Sequence, residues 1–296
     1  MDRSSIAVAV AAGLAAYGGA RALSSAAARR RSLATLGVSD VAKKRQWLIL
    51  VRHGDRHDYA NPSWKTTVEA MGGRPRDPPL SELGRRQAAA FGAAAAAALA
   101  ARGGSVEVYS SPYLRCLQTL EPLADAVDAT LTIEPGLAEI QHATKNVAAF
   151  QERFAYFPRL EAGAADRTAG VEGWPVEYMG RIARFAKALG ARADALLDSP
   201  GPSTVVLGSH AASVALVSAV LGDELTVDAK MAPCGAYVLA RDAAGEPWTL
   251  LRSGASNAPY VTENAATTFP WGYKAEYLDA WRAARGGASY PAGADV

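Results

Sequence analysis

The sequence predicts a three-layer α/β fold, a mainly parallel central sheet with helices on both faces. Three observations carry this. Short apolar runs such as Gln46–Val51 and Thr204–Gly208 end abruptly at polar residues, as buried parallel strands do. Helix-patterned stretches alternate with them, the order that βα units produce. The chain has 296 residues, enough for one sizeable domain with a tail or for two small ones.

Taken in order, Gln46–Val51 reads as the first strand and delivers Arg52-His53-Gly54 at its C-terminal end. Residues 55–79 are polar and hold Gly and Pro, so they read as a long loop with one helical turn. Ser81 suits the N-cap of a helix reaching Leu99 and stopped by Gly103-Gly104. Its alanine run, Ala93–Ala98, reads as helix-favouring filler without specific contacts. Val106–Tyr109 is the next strand, and Pro112 suits the first turn of the helix after it. Leu131–Ile133 is a further strand. From Val147 to Asp198 the pattern is mainly helical, interrupted near Gly163–Pro175, and is a candidate cap over a site. The turn Ser199–Pro202 feeds a strand ending at Ser209-His210, and a helix follows from Ala211 to Leu221. Ala236–Ala240 and Trp248–Arg252 close the domain as paired strands around Gly245.

Half of the chain is hydrophobic, a fifth is charged, and the net charge is +2. That balance belongs to a globular domain and argues against nucleic acid as a partner. Cys116 and Cys234 lack metal-ligand spacing and read as two buried free thiols, with a single disulfide as the alternative. Residues 1–42 read as a leader. The apolar run Ile6–Tyr17 is flanked by arginines, and Asp2 is the only acid before Asp40. Ala20-Arg21-Ala22 fits a secretory cleavage site, the Arg/Ser/Ala richness fits an organelle transit peptide, and a weak membrane anchor is the third reading. Without such an address the protein is cytoplasmic, and membrane contact is expected only through this leader. Residues 43–296 form the single domain.

Three separated segments each place chemistry just after a strand: Arg52-His53-Gly54-Asp55-Arg56, Ser110-Ser111-Pro112-Tyr113-Leu114-Arg115 and Ser209-His210. Parallel strands bring such segments to one rim, where α/β sheets bind ligands. A phosphate ester is dianionic near neutral pH and needs several fixed donors, which arginine's planar fork supplies best. Arg52, Arg56 and Arg115 supply three forks, and His210, if protonated, a fourth cation. The same field keeps His53 neutral and therefore nucleophilic. Gly54 leaves room for backbone to approach the phosphate. A rim carboxylic acid must then protonate the leaving oxygen.

The segments "LILVRHGDR", "DPPLSELGRRQA", "SSPYLRCLQT", "GLAEI" and "VVLGSHAAS" resemble the histidine phosphatase superfamily, whose fold is called phosphoglycerate mutase-like. The likeness runs from about Trp47 to Tyr237. Arg56, the Arg-Cys-Leu-Gln-Thr continuation and Ala211 after His210 are most similar to the branch of the suppressor-of-T-cell-receptor-signalling and ecdysteroid-phosphate phosphatases. The resemblance implies His53 as the phospho-accepting histidine, Arg52, Arg56 and Arg115 as phosphate ligands, and His210 as the second pocket histidine. Glu139 falls where the family's proton-donating acid is expected, with Asp55, Asp58 and Glu134 as nearby alternatives. His57 and His142 are expected bystanders.

Phosphatase activity on a small-molecule or phosphotyrosine-like phosphate monoester is the leading expectation. A phosphoglycerate-type mutase and a non-catalytic phosphate-binding or scaffold member are the alternatives. The sequence specifies no oligomeric state. Histidines among arginines make an anion site, whereas a metal calls for a carboxylate- or thiolate-rich shell, so no cofactor is expected. Trp64 and the aromatics between Phe150 and Trp174 are candidates for the pocket's outer wall.

Overall fold

The apolar run 46–52 becomes a strand buried along its whole length, and the remaining elements assemble around it. The computed structural model describes residues 26–38, 44–71, 74–139, 157–161, 173–198, 200–265 and 272–284. In chain order the elements are α1 (Ala26–Thr35), β1 (Gln46–Arg52), α2 (His57–Ala60), α3 (Trp64–Ala70), α4 (Glu82–Arg102), β2 (Ser105–Ser110) and α5 (Leu114–Val127). Then follow β3 (Leu131–Ile133), α6 (Val176–Leu196), β4 (Ser203–Ser209), α7 (Val214–Leu221), β5 (Ala236–Arg241), β6 (Thr249–Arg252) and α8 (Ala275–Ala284).

The six strands lie in the order β3-β2-β4-β1-β5-β6. Strands β3, β2, β4 and β1 are mutually parallel, and β5 pairs antiparallel with both β1 and β6. The sheet is therefore mainly parallel, as the alternating pattern predicts. Along β1, side chains alternate between two cores because successive Cβ atoms point to opposite faces. Trp47, Ile49 and Val51 join Phe91, Leu99, Leu117 and Leu120 on one face. Leu48 and Leu50 join Tyr178, Ile182, Val214 and Trp281 on the other.

Several expectations are adjusted. Ser81 caps α4 as predicted, its side chain accepting from Gly84 N. The helix runs three residues past Leu99, to Arg102, because the glycine stop lies at Gly103. Ala88, Ala94, Ala95, Ala96 and Ala98 are buried. The alanine run is thus core rather than filler, since methyl side chains let neighbouring helices approach closely. Pro112 lies outside the first turn of α5, whose N-cap is Tyr113. The loop after Arg56 holds two short helices instead of one turn. The helix after His210 opens as a 3₁₀ turn, Ala211–Ser213, before α7. Within the stretch read as a cap, α6 instead covers the sheet, burying Tyr178, Met179 and Ile182 in the second core. Residues 147–156 lie outside the described residues.

The folded body also begins earlier than Lys43. Helix α1 packs on α4, with Leu33 and Leu36 at 1 % and 0 % exposure and Val38 beside them in the first core. Part of the segment read as a leader is therefore structural, because its three apolar side chains close the outer side of α4. The apolar run Ile6–Tyr17 and the Ala20-Arg21-Ala22 site lie outside the described residues. No helix among the described residues is long and apolar enough to cross a membrane. Leu33→Ala is expected to destabilise the protein by about 2–5 kcal/mol, the usual range for emptying a buried leucine site. Urea unfolding, read as a lower midpoint at unchanged slope, checks this.

Candidate active site

The four parallel strands end level with one another. Arg52 pairs in register with Ser209, Ser110 with Gly208, and Ser110 with Ile133. Each ladder extends one residue further: His53 N donates to Ser209 O, Ser111 N to Gly208 O and Glu134 N to Ser110 O. His53, Ser111, Glu134 and His210 therefore leave the sheet along one edge. The three segments expected at a common rim are brought together there.

His53 is 3 % exposed, and its Nδ1 lies 2.8 Å from Gly54 O. A carbonyl only accepts, so Nδ1 carries the proton and Nε2 keeps its lone pair. Burial first, and then the charges of Arg115 and Arg52, push the His53 pKa well below 6.5, so the ring is neutral. The loop that holds it is fixed through backbone contacts. Gly54 N donates to Thr119 Oγ1, Asp55 N to Gln87 Oε1, and Ser81 Oγ donates to Asp55 Oδ2 at 2.6 Å. A Cβ on Gly54 would meet Gly84 O at 2.7 Å, and one on Gly84 would meet Asp55 O at 2.1 Å. Gly54 thus also serves the close packing of the loop on the start of α4.

Three arginines surround this ring, each in a different way. Arg52 donates through Nη1 to Met231 O at 2.7 Å, and burial lowers its pKa. Arg115 is 1 % exposed, and its Nη2 donates to Glu139 Oε2 at 2.5 Å while Nη1 lies 3.5 Å from Asp77 Oδ1. Burial disfavours the Arg115 cation, but Glu139 and Asp77 outweigh it and raise its pKa. The Nε atoms of Arg52 and Arg115 are buried and make no hydrogen bond to the described residues. Buried donors of this kind are rare and call for an acceptor. Arg56 forks onto Asp58 at 2.9 and 2.8 Å, yet its charge still acts on His53, His210 and Glu139.

His210 is fully buried, 5.3 Å from His53 between ring centres. Arg115 Nη2 is 3.2 Å from its Nδ1, and a guanidinium only donates, so Nδ1 accepts. Its Nε2 therefore carries the proton and donates to Ser111 Oγ at 2.8 Å. Burial, followed by Arg115 and Arg56, pushes the His210 pKa well below 6.5. The expected fourth cation is thus a neutral ring in this state, because low dielectric and like charge both oppose protonation. Glu139 Oε2 lies 3.4 Å from His210 Nδ1. Burial raises the Glu139 pKa, but the charges of Arg115 and Arg56 hold it below the usual carboxylate range.

Among the candidate acids, Glu139 is the one on Arg115 and His210. Asp55 is committed to Ser81, Asp58 to Arg56, and Glu134 to the turn amide Gly136 N. His57 packs against Trp64, and His142 lies outside the described residues. Trp174 is partly buried and packs among Tyr178, Tyr273 and Tyr277, while Phe150 lies outside the described residues. Cys116 and Cys234 are free and buried, and burial pushes the Cys116 thiol up to about 12. Among the described residues no group of three or more His, Cys, Asp or Glu is placed to hold a metal ion.

Sequence reasoning missed Asp77, Ser111 and Thr119 as members of the site. Each sits inside a quoted segment: Asp77 opens "DPPLSELG", Ser111 precedes Pro112, and Thr119 closes "RCLQT". The four-residue step from Arg115 to Thr119 was the available signal, since it puts both on one helix face. Arg181 was also missed, and no motif marks it.

The comparisons with known proteins agree with this geometry. The profile of the histidine phosphatase superfamily (branch 1) matches residues 48–253. The ecdysteroid-phosphate phosphatase of Bombyx mori is 32 % identical over 40 % of this chain; the match spans about a fifth (21 %) of that protein. The crystal structure of the Bombyx mori ecdysone phosphate phosphatase with tungstate superposes over 77 % of this chain and 98 % of its own. Its TM-score is 0.53 at 20 % identity, which is a likeness of fold. A mycobacterial glucosyl-3-phosphoglycerate phosphatase aligns over 71 % of this chain and 99 % of its own, with a TM-score of 0.45 and 22 % identity. With a family profile covering well over half of its length and the phosphoglycerate mutase-like sheet beneath it, the chain belongs to the histidine phosphatase superfamily, branch 1.

Proposed function

We propose that the protein is a phosphoric monoester hydrolase working through a phosphohistidine on His53. The observation that carries this reading is one arrangement. A neutral imidazole with its lone pair on Nε2 sits among three guanidiniums, two of which hold buried N–H groups without an acceptor among the described residues. That combination suits a nucleophile facing a bound dianion and little else.

In the first half-reaction, His53 Nε2 forms a bond to phosphorus as the ester P–O bond breaks. Arg52, Arg56 and Arg115 hold the equatorial oxygens, whose charge they stabilise. Glu139 gives its proton to the leaving oxygen. Glu139 is ionised in the resting site, and a phosphate arriving on Arg115 and Arg56 reverses that state. The anion neutralises the two cations that hold the carboxyl down and adds negative charge beside it, so a substrate monoanion can pass its proton to Glu139. In the second half-reaction, water attacks phosphorus while Glu139 takes its proton. The P–N bond breaks, releasing inorganic phosphate and restoring neutral His53. No step requires a metal or organic cofactor. The names of the relatives support a small phosphate monoester as the substrate class.

Phosphate release from p-nitrophenyl phosphate without added metal tests the assignment. The parent turns over, and His53→Ala loses turnover while retaining affinity for orthovanadate. A His53→Ala protein as active as its parent overturns the nucleophile, and an inert parent with an intact fold favours the scaffold reading. Glu139→Gln is expected to slow phenyl phosphate by about 10²–10⁴, the range for losing a general acid. The loss is much smaller for p-nitrophenyl phosphate, whose leaving group needs less help; equal losses on both substrates contradict the role.

The neutral histidines also set a pH dependence of stability. Both folded-state pKa values lie below the ordinary 6.5, so the unfolded chain binds protons that the folded site refuses. Their contribution is complete above about pH 6.5 and is lost as the pH falls below it. Urea midpoints measured from pH 7.5 down to 5 are expected to decline, and to decline less in His53→Gln.

A further inference from the structure

The carbonyl groups of the turn that carries Glu139 are held by side chains from elsewhere in the fold. Residues Pro135–Leu137 form a 3₁₀ turn directly after β3. Arg181, on α6, donates through Nη1 to Pro135 O at 3.2 Å and Gly136 O at 2.7 Å, and through Nη2 to Ala138 O at 2.9 Å. The remaining carbonyl, Leu137 O, accepts from Ser209 Oγ at 2.6 Å. Ser209 is the last residue of β4 and precedes His210. One helical turn beyond Arg181, Phe185 presses on Gly136 so closely that a Cβ there would come within 2.5 Å of its ring.

These contacts place the backbone immediately before Glu139. Short helical turns leave their last carbonyls without internal partners, and water or side chains must satisfy them. Here Pro135 O already accepts from Ala138 N, and one guanidinium spans it together with the carbonyls of Gly136 and Ala138. Its planar fork can reach several acceptors at once, which the point charge of a lysine cannot do. Glu139 must meet Arg115 Nη2 at 2.5 Å while its carboxyl stays in reach of the leaving oxygen, a tolerance that a freely moving turn would not keep. A displacement of about 1 Å in such a group costs on the order of 10²-fold in rate.

We infer that Arg181 is a positioning residue for Glu139, clamping the acid-bearing turn so that the carboxyl reaches the leaving oxygen. This rests on Glu139 as the general acid. Arg181 also lowers the His210 pKa through its charge, which Arg181→Lys keeps while losing the fork. That substitution should therefore spare the nucleophile and weaken only the proton transfer.

The test compares phenyl phosphate with p-nitrophenyl phosphate in parent, Arg181→Lys, Glu139→Gln and the double variant. Arg181→Lys is expected to lower kcat on phenyl phosphate about tenfold or more and on p-nitrophenyl phosphate by less than about threefold, following the demand for general acid. The double variant should be no slower on phenyl phosphate than Glu139→Gln alone. A uniform loss on both substrates in Arg181→Lys, or a loss that multiplies with that of Glu139→Gln, overturns the inference. Glu139→Gln by itself separates the two ideas. Equal losses on both substrates there overturn the general acid and the clamp with it, whereas a leaving-group-dependent loss there beside a uniform loss in Arg181→Lys overturns the clamp alone. Arg181→Gln is read in the same way if the lysine variant does not fold. Failure of both to fold would make the clamp a stability element and also overturn the inference.

Discussion

Arg115 is almost wholly excluded from solvent, and a buried guanidinium is tolerated only where opposite charge and acceptors surround it. That requirement organises the site. Asp77 on one side and Glu139 on the other supply the countercharge, while His210 Nδ1 accepts a further bond. Asp77 also accepts from Leu114 N at the start of α5, so the carboxylate that steadies Arg115 also holds the helix presenting it. Through these bonds the Asp77 segment, α5, the Glu139 turn and the end of β4 are tied to a single cation.

The resting site is electrostatically self-contained. Glu139 lies on Arg115 and Asp58 on Arg56, so protein carboxylates occupy part of the field intended for an anion. In the proposed reaction a phosphate ester enters by exchange with these carboxylates rather than by simple addition, and the exchange changes the protonation of Glu139 in the direction that chemistry needs. Both histidines stay neutral in the same field, which suits His53 to the nucleophilic role proposed for it.

The rim of the site was legible because each functional segment follows an apolar run. β1 and β4 are buried at every position, so their ends are marked by the first polar residues, Arg52 and Ser209-His210. Strand ends of a parallel sheet converge, and the register confirms it at Arg52 and Ser209. Ser81 was legible as a cap for a local reason, since its partner lies only three residues on. The alanine run was misjudged because burial of a methyl group leaves no periodic signature in a stretch where nearly every residue is alanine. The structural role of α1 was hidden similarly: three apolar residues, Leu33, Leu36 and Val38, lie in a segment dominated by arginine, serine and alanine.

The sequence by itself determined the strand-and-helix order, the residue types at the rim and the family to which the chain belongs. Those properties are local: each depends on hydrophobic runs, caps and short motifs whose members are close along the chain. Only the tertiary structure decided which nitrogen of each histidine carries the proton, which carboxylate sits on which arginine, and that Arg181 holds the turn before Glu139. These depend on the mutual placement of groups such as Arg181 and Pro135, or Arg115 and His210, which lie 46 and 95 positions apart. Hydrogen bonds and buried charges act over a few ångströms of space, and distance along the chain does not reveal them.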